Sequence, residues 1–98
     1  MAVANHTAWK YIAETKPFRS HTDSLRGVLI GDEYRIFSYA TLMAVVSLQG
    51  NARGEITYLD QRQYSVTTSK HQGIIARGLS GFTTAEGAEI LERPRRRR

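Results

Sequence analysis

The chain has no cysteine, only two prolines, and no apolar run approaching the roughly 18 residues of a membrane span. Without cysteine its 98 residues carry neither a disulfide staple nor a thiolate metal site, which excludes a stapled secreted scaffold. A chain this short buries only about 60–65% of the surface its unfolded form exposes, so one modest core must hold the fold. With 41% hydrophobic and 23% charged residues, the composition is that of an ordinary globular protein and not of a disordered one. The opening stretch, Met1 to Lys16, mixes charge with aromatics and lacks the apolar centre of a signal peptide. The expected compartment is therefore the cytoplasm.

Acidic residues are missing where they would matter most. None lies between Asp60 and Glu86, whereas Arg62, Lys70, His71 and Arg77 all fall there. The net charge of +5 has a different origin. Residues 1–92 hold nine lysines or arginines and all nine acids, so the body is neutral. The excess lies in Arg93-Pro94-Arg95-Arg96-Arg97-Arg98. Self-repulsion and Pro94 predict an extended, disordered arginine-rich tail over 93–98, following one domain over 1–92.

Periodicity divides that domain. Residues 5–16 read as a helix capped by Asn5 or Thr7, with Trp9 and Ile12 on its apolar stripe and Pro17 as its stop. From Leu25 the period becomes two. Leu25 to Ile30 is a strand closed by Gly31-Asp32. Tyr34, Ile36 and Ser38 alternate with Arg35, Phe37 and Tyr39, and Leu42 to Leu48 is apolar enough for burial on both faces. A loop at 49–54 precedes a strand over Glu55 to Asp60 and a short last one over Tyr64 to Val66. Short turns between successive strands predict an antiparallel meander of four to five strands over 25–66.

A second helix is predicted over 68–79. At 100° per residue from Lys70, the residues Ile74, Gly78, His71, Ile75 and Leu79 fall within about 40° to 180°. Lys70, Gly73 and Arg77 fall on the other side, so the helix packs through its isoleucines and turns two cations outward. Thr83 to Glu86 has capping-box spacing, and a short third helix is expected over 84–92, weakened by Gly87. The fold class expected is thus α+β.

The densest polar stretch runs from Tyr64 to Gln72. A strand entering a helix N-terminus with Thr68, Ser69 and Lys70 offers free backbone N–H groups to an anion. The plainer reading is that Thr67, Thr68 and Ser69 satisfy those donors themselves. No glycine-rich loop precedes the turn, which excludes a nucleotide P-loop. His71 lies within the apolar arc, where a packed neutral histidine fits better than a base paired with Ser65, Thr68 or Ser69. His6, His21 and His71 lack metal-ligand spacing. Tyr34, Phe37, Tyr39, Tyr58 and Tyr64 on strands suggest base stacking, although half-buried sheets favour aromatics in any protein. Neither a catalytic group nor a cofactor or metal is expected.

Two segments carry a resemblance. Phe37-Ser38-Tyr39-Ala40-Thr41-Leu42-Met43-Ala44-Val45 and Tyr64-Ser65-Val66-Thr67-Thr68-Ser69-Lys70-His71-Gln72 resemble paired motifs in a group of small uncharacterised tailed-bacteriophage proteins. The resemblance spans about Phe18 to Leu79, and it departs from the pattern at Leu42, where the group has proline. It implies a phage origin and a place in the cytoplasm of the infected bacterial host, but no activity.

Two functions follow. The first is a non-catalytic phage accessory module that binds a host protein to modify or inhibit it, with no membrane and no small-molecule cofactor. The alternative is a nucleic-acid-binding module. In either, partner or phosphate contacts are expected from Thr68, Ser69, Lys70, Gly73 and Arg77, together with tail residues Arg93, Arg95, Arg96, Arg97 and Arg98.

Overall fold

The computed structural model describes residues 2–49, 54–62 and 64–92. The arginine tail at 93–98 lies outside these. Among the described residues the chain runs β1 (Ala2–Val3), α1 (Asn5–Ala13), β2 (Phe18–Ser20), β3 (Leu25–Ile30), β4 (Glu33–Ser38), β5 (Thr41–Ser47), β6 (Glu55–Gln61), α2 (Val66–Gly78) and β7 (Thr83–Glu92). The seven strands form one sheet in sequence order. The class is α+β as expected, but the sheet is larger and mixed. Its middle, β2 to β6, is an antiparallel meander. At either end a helix crosses over and returns a parallel strand: α1 joins β1 to β2, and α2 joins β6 to β7.

Five expectations about the elements need correction. Residues 84–92 form strand β7 and not a helix. Thr83, Thr84 and Ile90 favour an extended chain, Gly87 weakens a helix, and β6 supplies the hydrogen-bonding partner. Tyr64 to Val66 is not a strand, because Ser65 already caps α2 by accepting the Thr68 N–H at 3.3 Å. The second helix accordingly starts at Val66. The first helix stops at Ala13, three residues short of expectation, with Thr15 turned to φ +50° before Pro17. Its N-cap is Ala4, not Asn5 or Thr7; the Thr7 hydroxyl bonds back to the Ala4 carbonyl at 2.9 Å.

Other expectations hold. Gly31, at φ +58°, supplies the left-handed turn between β3 and β4 that a side chain would strain. Tyr34, Ile36 and Ser38 are buried toward the helices, and β5 is buried over Met43 to Val46, with Met43, Ala44 and Val46 in the core beneath the helices. The core gathers Ile12 of α1 and Ile75 and Leu79 of the α2 region over Phe18, Leu25, Tyr34, Ile36, Met43, Ala44, Val46 and Ile56. Tyr34 is fully buried and its hydroxyl donates to the Lys16 carbonyl at 2.8 Å, so it packs and does not stack on a ligand.

Both helices lie on the same face and touch each other. A Cβ added at Gly78 would come within 2.6 Å of Ile12 Cβ and 2.9 Å of the Trp9 carbonyl oxygen. That missing side chain is what lets α2 lie directly on α1.

Candidate functional site

The contact of α1 with α2 creates a groove on the outer surface of the helix layer. It is lined by Asn5, His6 and Trp9 from α1 and by Lys70, Gly73, Ile74 and Arg77 from α2, and encloses about 460 Å³. Trp9 meets Arg77 and the backbone at Gly78, and because β1, β2, β6 and β7 all run the same way, the two helices that return from β1 and β6 run in the same direction. The Arg77 guanidinium stacks 4.1 Å from the Trp9 ring centre, and Lys10 Nζ stands 5.9 Å from it. Such cation–π contacts hold both charges beside the groove.

The groove is electropositive for a reason visible in the chain. Neither α1 nor α2 contains an acidic residue. Among the described residues, the four ion pairs join Lys16 to Glu14, Arg19 to Asp23, Arg35 to Glu33 and Arg62 to Asp60. Lys10, Lys70 and Arg77 take part in none of them. Gly73 sits open, with nothing within 4 Å of the position a Cβ would take, so a ligand backbone can approach there.

The expected site residues divide. Lys70, Gly73 and Arg77 are all exposed and share the groove. Thr68 is buried, and its hydroxyl lies 3.4 Å from both Ser38 Oγ and Ser65 Oγ, inside the protein and not facing a ligand. Ser69 points to the opposite flank of α2, where a second cleft of about 460 Å³ opens against β6. Ile56, Leu59, Ile75 and Leu79 form its apolar lining, and Gln72 and Asp60 contribute polar groups. The tail arginines Arg93, Arg95, Arg96, Arg97 and Arg98 lie outside the described residues.

The paired segments noted in the sequence meet in space. Ser38 Oγ lies 2.7 Å from His71 Nδ1, and the Tyr39 ring tilts over the imidazole at 5.8 Å between centres. Burial pushes the His71 pKa below its ordinary value of 6.5. Ser38 is as buried as His71, so this pair joins β4 to α2 and is not an exposed nucleophile and base.

A second polar cluster escaped the sequence reading. Asp60, whose side chain is fully buried, accepts from Arg62 Nε at 3.1 Å, Arg62 Nη2 at 3.0 Å and the Tyr64 hydroxyl at 2.6 Å. Burial alone would raise its pKa, but the hydrogen bonds from Arg62 and Tyr64 outweigh it and hold the carboxyl below the usual range. Gln72 Nε2 closes the cluster by donating to the carbonyls of Asp60 and Arg62 at 3.0 and 2.8 Å. The signal was the spacing 60, 62, 64, which sets alternate residues of an extended chain on one side. These bonds pin the entry of α2 to the end of β6.

Among the described residues no three His, Asp or Glu side chains are grouped to hold a metal, and no helix is long and apolar enough to cross a membrane. Comparison with protein families, with curated proteins and with solved structures returns no match.

Proposed function

We propose that this protein is a non-catalytic binding module whose two-helix face takes the phosphate backbone of a nucleic acid. The observation that carries this reading is the segregation of charge. Lys10, Lys70 and Arg77 gather around one groove on helices that hold no acid, and five further arginines follow in the tail. An anionic backbone is drawn to such a surface whatever its base sequence. On the resemblance noted above, the setting is the cytoplasm of a phage-infected bacterium.

Anisotropy of labelled single-stranded and duplex oligonucleotides tests the reading. If the eight cations each neutralise one phosphate, the log–log salt slope on duplex is about −7, a loss of roughly 10⁴-fold from 50 to 200 mM salt. Truncation after Glu92 should leave a slope of about −2.7, and adding Lys70→Glu with Arg77→Glu should abolish what remains. Trp9 is the only tryptophan, so its emission reports directly on occupancy of the groove.

The cleft between α2 and β6 favours a second reading, the binding of a host protein to modify or inhibit it. Its apolar walls, Ile56, Leu59, Ile75 and Leu79, offer an anchor side chain the kind of pocket that dominates interface energy. Absence of nucleic-acid binding at 50 mM salt, with a host protein captured by the truncated body and released by Leu59→Lys, would favour this reading over the first.

A further inference from the structure

Strand register places a distinct set of residues on the sheet face turned away from the helices. Directly opposed pairs connect Val28 to Arg35, Arg35 to Val45, Val45 to Tyr58, and Tyr58 to Glu89. A neighbouring row connects Arg26 to Phe37 and Phe37 to Leu42. Residues flanking these in β4 and β5, namely Tyr34, Ile36, Ala44 and Val46, are core, so the rows face the other way. Val45 is the telling one. It is 7% exposed, yet it is the only buried apolar residue among those described that is absent from the helix-side core. Val28, Phe37, Leu42 and Tyr58 around it are half-buried. Neither described helix packs on this face.

We propose that this face seats a second copy of the same chain, packed sheet against sheet about a two-fold axis. The central row reads cation, apolar, apolar, anion: Arg35, Val45, Tyr58, Glu89. A two-fold contact requires a surface complementary to itself, and such a row has that property. An axis running along the strands between β5 and β6 sets Arg35 of one copy over the partner's Glu89, and Val45 over the partner's Tyr58. Within one chain those charges stand three strands apart, about 14 Å, too far to pair. The Arg35 guanidinium is already oriented, since Glu33 Oε1 accepts from Nε at 2.9 Å and Nη2 at 2.7 Å and leaves its other N–H donors available. Sheets packed this way leave both basic helix faces outward, so the proposal is independent of what those faces bind.

Sedimentation of the full chain tests it. The wild type should sediment at twice the 11.1 kDa chain mass. Arg35→Glu and Glu89→Arg should each weaken association at least about tenfold by opposing like charges at both ends of the row. Mixed together, the two variants should form a heterodimer, because each then presents the charge the other lacks. Circular dichroism of each variant checks that it is folded. A wild type that stays at the chain mass up to roughly 100 μM, well above a micromolar Kd, would overturn the proposal. So would a dimer that survives both single reversals, or folded monomeric variants that fail to associate when mixed.

Discussion

Replacing Gly78 by alanine pits two effects of known size against each other. Gly78 is the last residue of α2, and alanine gains up to about 1 kcal/mol over glycine in helix propensity. The added carbon, however, would stand 2.6 Å from Ile12 Cβ, 2.7 Å from Ile12 Cγ2 and 2.9 Å from the Trp9 carbonyl oxygen. Carbon pairs are comfortable at about 3.5–4.0 Å, so α1 and α2 must part by roughly an ångström. No rotamer relieves this, because Ile12 is β-branched at the contact, fully buried, and the third neighbour is backbone. Overpacking of this kind costs about 1–3 kcal/mol, with the rigid contacts placing it toward the top. The net loss should be about 1–2 kcal/mol, or roughly 5–15 °C in Tm for a domain of this size. Gly73→Ala is the matched control. It sits on the same helix with nothing within 4 Å, so it should raise Tm by several degrees. Thermal melts in which both substitutions stabilise would refute the contact between the helices, and with it the groove their contact creates.

Further outcomes follow from burial and charge. Ile75→Ala should cost about 2–4 kcal/mol and Lys70→Ala under about 0.5, since one is core and the other exposed; melts in the reverse order would mean that α2 is rotated. His71 is held neutral by burial, so the folded protein binds its proton less readily than the unfolded chain. Stability is then complete above about pH 6.5 and falls as pH drops below it, and His71→Gln should flatten that slope. An NMR titration placing His71 at 6.5 or higher would sink this account. Asp60→Ala removes the buried acceptor of the Arg62 and Tyr64 hydrogen bonds and should lower the urea midpoint, the exposed Arg62 head being rehydrated; an unchanged midpoint would mean that the cluster does not anchor α2.

The sequence by itself determined what local periodicity can encode. Alternation placed Tyr34, Ile36 and Ser38 on the core side, and the 3.6-residue period turned Ile75 and His71 inward and Lys70, Gly73 and Arg77 outward. Gly31-Asp32 marked its turn because glycine takes at no cost the positive φ that the turn requires and a side chain would strain. Those properties depend on residues a few positions apart. What needed the tertiary structure was everything that depends on a distant partner. Thr83 to Glu92 became a strand because β6, on the far side of α2, supplies the hydrogen bonds, whereas its own pattern also suited a short helix. The same pairing, and that of β1 with β2, made both ends of the sheet parallel where short turns suggested only a meander. Thr68 was drawn inside by Ser38, thirty residues earlier, leaving the cap to Ser65. Trp9, Asn5 and His6 joined Lys70 and Arg77 only because Gly78 lets two helices touch, and no spacing along the chain records a contact between elements so far apart.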